Sequence, residues 1–248
     1  MNALAMAIEA ITMSGFRTLF FLVTILAAVN GKADDTTQIT VDEEKFEQLL
    51  TNGSQLIASG NPKDAISYFD QIIAGYETAY KDTSQKLYSA RWSVESLMYL
   101  AEAAKAQESA VVVSENWAYA YYFKAYSLLE LGSLEEAKTL LERAIAMSPR
   151  NSQFLSEMGN IHQRQQNWPK ALDMFQSAAL AAQEFSPAHA KNLELSRAWR
   201  GLGYIYVEQG NLDAAEKMYR QCLDLDANDQ RASNELRYIE GIRAKQGV

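Results

Sequence analysis

Small and large apolar residues recur along this chain at a spacing longer than one helix or strand explains. Four times a small residue is followed 12 positions on by an alanine: Gly53 and Ala65, Ala125 and Ala137, Gly159 and Ala171, Gly203 and Ala215. Four residues past each alanine stands a large apolar side chain (Phe69, Leu141, Phe175, Tyr219), and three further on Ile72, Ala144, Ala178 or Cys222. Each such set falls on one face of a helix. Ala137 and Ala171 are 34 residues apart. A period in that range predicts a solenoid, in which no unit buries its own apolar face and each must stack on its neighbours.

The first unit covers about 46–79: Leu49, Gly53 and Leu56 on one helix, a turn at Gly60-Asn61-Pro62, then Ala65, Phe69 and Ile72 facing back. Asn61 is placed to cap the second helix, with Pro62 at its first position. The unit at 118–151 repeats this around Gly132, with Ser133 and Glu136 spaced as a capping box. A fourth unit runs over 152–185 and a fifth over 196–229. The period breaks twice. Residues 80–117 hold one degenerate unit, in which Leu87, Tyr88, Val94, Leu97, Met98, Ala101 and Ala104 suggest a long helix. About ten residues, 186–195, are inserted before the fifth unit, as a longer connection that extends the flanking helices or protrudes. Residues 230–248 keep helical spacing through Ala232, Leu236, Ile239 and Ile242, with charges between them, as a solvating cap.

The combination Trp199-Leu202-Gly203-Tyr206, Gly210, Ala215 and Tyr219, with the strict spacing of the third and fourth units, resembles the tetratricopeptide repeat family. The resemblance covers about two thirds of the chain. It implies an all-α, right-handed solenoid of about five helix hairpins plus a C-terminal capping helix, whose first helices line a concave groove. In that family the groove or the ends of the array generally bind peptides or helices of other proteins. This chain departs from the pattern at Gln166, where a turn glycine is common, and at Lys124, a usually apolar slot.

The beginning of the chain reads differently. Residues 18–29 are uncharged and strongly apolar, Arg17 precedes them, and Gly31 and Ala33 are the small residues that a cut after Ala33 requires. This is the layout of a secretory signal peptide over 1–33, with Met13 a possible real start. The apolar core is short of the roughly 20 residues a membrane helix wants. Residues 34–45 read as a flexible leader. The expected location is periplasmic or secreted. The alternative is an inner-membrane protein held by an uncleaved 16–30 helix, the only route to a membrane that the chain offers.

Composition narrows the function classes. At 48 % apolar and 22 % charged the chain is an ordinary folded protein. A net charge of −8 argues against nucleic acid as a partner. The lone Cys222 rules out an internal disulfide and occupies the small-residue slot of its unit. His162 falls on a packing position and His189 in the insertion; no second histidine or cysteine stands at metal-ligand spacing, and no nucleophile or phosphate-loop motif occurs. No enzyme, no metal and no cofactor are expected.

What remains is the groove. The resemblance carries the concave positions onto Tyr119, Tyr122 and Tyr126, then Asn160 and Arg164 (with Gln153, Ser156 and Gln163), then Arg197, Arg200 and Tyr204. Tyrosine and arginine carry interface energy through amphipathic area and forked carboxylate recognition, so a peptide segment of another protein, with an acidic side chain or a free carboxyl end, would suit this surface. A second reading stays open: the tyrosines pack against neighbouring repeats, and the arginines pair with Glu194 or Glu208. The expected function is an exported interaction scaffold or adaptor for an envelope partner. Its rival is a membrane-anchored structural subunit that uses its convex face and array ends.

Overall fold

The computed structural model of the chain describes residues 41–246. They form two compact units, one ending at Pro149 and the next starting at Arg150. The first holds α1 (Glu43–Ala58), α2 (Pro62–Ala79), β1 (Lys86–Ala90), α3 (Ser93–Lys105), β2 (Ala110–Ser114), α4 (Asn116–Glu130) and α5 (Leu134–Met147). The second holds α6 (Ser152–Arg164), α7 (Trp168–Phe185), α8 (Ala188–Glu208), α9 (Leu212–Leu225) and α10 (Gln230–Gln246). The expected signal segment, with its cut after Ala33, and the 16–30 anchor lie outside the described residues. Among those described, no helix is long and apolar enough to cross a membrane.

The repeat positions are the core. Ala65, Phe69 and Ile72, Ala137, Leu141 and Ala144, Ala171, Phe175 and Ala178, and Ala215, Tyr219 and Cys222 are each at most 1 % exposed. The paired small residues explain how the helices come so close. A methyl group on Gly53 would sit 2.6 Å from the Phe69 ring, and one on Gly203 would sit 2.7 Å from Tyr219. Burial also pushes the Cys222 thiol up to about 12, so this cysteine behaves as a small apolar residue.

Helix ends follow from local chemistry, with two departures. Asp42, Asn151, Asn167 and Asn211 each accept a hydrogen bond from a backbone N–H in the first turn of the helix they precede. Asn61 does not: its amide donates to the Ser59 carbonyl at 3.3 Å instead. Ser133 makes no side-chain cap either, so the expected box with Glu136 is not formed. At the hairpin turns Gly60, Gly132 and Gly210 take φ of 82°, 82° and 73°, a left-handed conformation that costs glycine nothing. Gln166 holds the same place at φ 54°. Its side chain adds strain of roughly 1 kcal/mol that glycine would lack. Gln166→Gly is therefore expected to raise stability by about 0.5–1 kcal/mol in urea unfolding, where glycine in mid-helix would lower it.

Residues 80–117 correct the expectation of a degenerate helix pair. They form a β-α-β unit whose two strands pair in parallel, Lys86 opposite Ala110 through Ala90 opposite Ser114. Val111-Val112-Val113 supplies β-branched residues in succession, the local preference that favours a strand here. Only Ser93–Lys105 of the expected long helix is helical. Tyr99 lays its ring on Tyr88 of β1 (centroids 4.8 Å, planes 9° apart) and seals the small core with Ala90 and Ala103. Beside this insert α2 packs directly on α4, and Phe69 stacks on Phe123 at 5.7 Å. Helix pairs separated by a whole β-α-β unit in sequence are thus neighbours in the stack.

Two boundaries also move. Residues 43–45, expected in the leader, open α1 behind the Asp42 cap. The 186–195 insertion makes no loop: only Ser186 and Pro187 separate α7 from α8, and the extra residues form the first turns of a 21-residue α8. Helix α10 packs on α9, burying Ala232 and Ile239 against Tyr219 and Cys222.

Candidate functional site

The proposed groove residues divide between the two units. Tyr119, Tyr122 and Tyr126 lie on α4 of the first. Tyr119 and Tyr122 are 6 % and 3 % exposed, so they do not form an open stripe. Their rings meet edge to face at 6.1 Å, and both rest on Phe123, at 5.8 and 5.2 Å. The reason is legible in α4 itself. Asn-Trp-Ala-Tyr-Ala-Tyr-Tyr-Phe-Lys-Ala-Tyr-Ser-Leu-Leu-Glu has no polar face, and a helix apolar all round is buried all round. Tyr126 is half-buried.

In the second unit the first helices of successive pairs, α6 and α8, touch, while α7 and α9 have no comparable contact. The second helices therefore splay outward, and α6 and α8 line the inner side of that unit. Helix α10 packs on α9, and its start is tied to α8 through Asp229 and Arg200. The repeat register assigns Asn160, Arg164, Arg197, Arg200 and Tyr204 to the inner side.

Arg200 is not a ligand-ready cation. Its guanidinium donates to Asp229, and the other oxygen of Asp229 accepts from the backbone N–H groups of Arg231 (3.0 Å) and Ala232 (3.1 Å). Arg200 thus fastens α8 to the capped start of α10. Its partner is Asp229, not Glu194 or Glu208; Glu194 instead accepts the Ser186 hydroxyl that joins α7 to α8.

Arg197 and Arg164 differ. Arg197 is half-buried on α8 and Arg164 is exposed at the end of α6. Neither has a carboxylate partner among the described residues. The Asn160 amide donates to Glu157, one turn back on α6, at 3.2 Å. Of the companions of Asn160, Gln153 and Ser156 are buried at 7 % and 0 %. Tyr204 is 38 % exposed, and on α10 Tyr238 is 58 % exposed. The Tyr204 phenol is held above its ordinary pKa by burial first, then by the charges of Glu208 and Glu235 and by Tyr238, so it stays protonated and can donate a hydrogen bond.

The open surface of the second unit is therefore basic at Arg164 and Arg197 and aromatic at Tyr204 and Tyr238. Two acidic residues, Glu208 and Glu235, lie close enough to Tyr204 for their charges to act on it. Sequence reasoning missed Tyr238 and Glu235 as neighbours of Tyr204, because α10 was read only as a cap. It also missed Gly201, where a methyl group would sit 2.4 Å from the Phe175 ring.

The charged groups inside the first unit serve its packing. Arg91 and Glu95 pair at 3.3 Å with both side chains buried, and Glu95 also accepts the Tyr99 hydroxyl at 2.9 Å. Nearby Glu115 is raised to about 7 by burial, against the pull of Arg91 and with Glu95 and Glu47 adding. The Arg91–Glu95 pair closes the turn from β1 into α3, with the Arg91 backbone N–H also donating to Glu95 at 2.9 Å.

Comparison with known proteins agrees with this architecture. Family models described as tetratricopeptide repeat match residues 151–228 and 118–151. No curated protein matches the sequence. Among solved structures the fold is similar to pilF of Pseudomonas aeruginosa, at 15 % identity over 82 % of this chain and 71 % of that one, with a TM-score of 0.57. It is also similar to MamA of Desulfovibrio magneticus RS-1 from residue 41 to its end, at 14 % identity over 81 % and 86 %, with a TM-score of 0.50. At these identities the likeness is one of fold, an all-α solenoid of helix hairpins, here with a β-α-β unit set into it. The repeats are those of a protein-interaction scaffold. With its repeat positions buried in register and the family's pattern matched from Ala118 to Asn228, the chain is a tetratricopeptide repeat protein.

Proposed function

We propose that this scaffold is exported and holds an acidic segment of an envelope protein on the inner side of its second unit, against α6, α8 and α10. The observation that carries the reading is Arg197: a half-buried guanidinium with no carboxylate of its own among the described residues, at a position the repeat register assigns to the inner side. A buried or half-buried cation is costly unless paired, and a partner's carboxylate would complete it with a forked pair of hydrogen bonds. Tyr204 and Tyr238 offer the amphipathic area that anchors such a segment. The apolar run 18–29 with Gly31 and Ala33 behind it supports export.

The test is affinity capture from the native cells, scored by quantitative mass spectrometry. The wild-type chain and Gln176→Ala, an exposed change on α7, should hold the same protein set. Arg197→Glu combined with Tyr204→Ala should lower its capture at least tenfold, about 1.4 kcal/mol or more of binding. Equal capture by all three rules the inner side out. Sequencing the N-terminus of the mature protein tests export, with Asp34 expected first; a chain still beginning upstream of Phe16 would favour the anchored alternative.

A further inference from the structure

The β-α-β insert carries a surface that the repeat scaffold does not use. Helix α3 turns Glu95, Tyr99 and Ala103 into the small core. Its opposite side exposes Val94 (46 %) and Leu97 (60 %), followed by exposed Ala101 and Ala104. These four residues follow the three-four-three spacing of a coiled-coil seam, and half-buried Met98 and Leu100 border it. A solvated helix of a soluble protein would carry polar residues there.

The seam tapers: its first half is large, Val94 and Leu97, and its second half small, Ala101 and Ala104. That asymmetry names the occupant. Two copies of α3 laid antiparallel about a two-fold axis near residue 99 bring Val94 against Ala104 and Leu97 against Ala101, large on small along the whole seam. A parallel pair would set Leu97 on Leu97 and leave a gap at each alanine, where close packing is lost. Charge points the same way. Antiparallel pairing holds the two Lys105 side chains at opposite ends, beside the partner's Ser93, whereas parallel pairing brings them together. The self-complementary match is what a closed two-fold interface requires.

We infer that α3 is a self-association site, at which two copies of this chain pair antiparallel through Val94, Leu97, Ala101 and Ala104. One short helix on another buries less than the roughly 1,200 Å² of standard interfaces, so the dimer is a weak, concentration-dependent one.

Disulfide trapping of the purified chain tests it, since native Cys222 is buried. Val94→Cys and Ala104→Cys chains, mixed and oxidised, should give a cross-linked dimer. Neither alone should, because ten residues of helix set like positions about 15 Å apart. Adding Leu97→Glu, a change at an exposed site that leaves helical circular dichroism intact, should abolish the cross-link. In sedimentation velocity it should remove the rise in mass with concentration. Cross-linking by Ala104→Cys alone overturns the antiparallel arrangement. A monomer at every concentration overturns self-association, whether the stripe stays bare or another segment of the chain covers it.

Discussion

Replacing Phe175 by alanine is expected to lower the unfolding free energy by about 3–5 kcal/mol, the range for removing a buried aromatic ring. Phe175 is 1 % exposed on α7 and lies between Gly159 of its own hairpin and Gly201 of the next first helix. A methyl group on either glycine would come within 2.9 Å of the ring. The ring therefore fills a space that α6 and α8 leave open together, and its loss leaves a cavity that neither rigid backbone can close. In a solenoid, stability resides in such contacts between neighbours. Leu180→Ala on the same helix, at a residue 60 % exposed, should change stability by less than about 0.5 kcal/mol. Chemical denaturation of both variants measures the difference; a Phe175→Ala loss below about 1 kcal/mol would mean that the ring is not the wedge between these hairpins.

The second large effect is expected at Glu43, where α1 begins. One carboxylate oxygen accepts from the Tyr76 hydroxyl at 2.7 Å, the Ser114 hydroxyl at 2.5 Å and the Asn116 amide at 3.0 Å. It thereby joins α1 to α2, to the end of β2 and to the start of α4. The Tyr76 phenol is pushed above its ordinary pKa by burial first and by the Glu43 charge next, so it remains a donor. Its ring stacks on Trp117 at 4.9 Å and 5° and meets Phe46 at 4.9 Å, which keeps the hydroxyl aimed. Hydrogen bonds to a charged group are worth roughly 1.5–3 kcal/mol each, and removing the acceptor strands its donors. Two features reduce the sum: Glu43 is part-buried, and the Tyr76 and Ser114 hydroxyls can still bond each other. Glu43→Ala is expected to cost about 2–3 kcal/mol in urea unfolding, and Glu43→Gln, which keeps an acceptor, less than half of that. Equal costs for the two would show that the carboxylate charge, and not its role as acceptor, holds the junction.

The repeat core was legible because its signal is local and periodic. Small residue, alanine and aromatic recur at set intervals, and each interval maps onto one helix contact. The β-α-β unit was missed because Leu87, Tyr88, Val94, Leu97 and Met98 also fit a helical face; the succession Val111-Val112-Val113 was the overlooked cue. The groove was half legible. Register put Arg197 and Tyr204 on the inner side of the second unit, but register does not tell which side chains are already engaged. Arg200 is fixed by Asp229, 29 residues further along, and nothing local announces that pair. Tyr119 and Tyr122 could have been assigned to the core from α4 alone, since that helix offers no polar face to place outward.

Photo-crosslinking in the native cells tests the docking side most directly. A photoreactive side chain at Tyr204 should trap a discrete partner protein, and one at Gln176 on the splayed α7 should not. Trapping from Gln176 alone, or equally from both positions, would contradict the assignment of the inner side of α6, α8 and α10 as the docking surface.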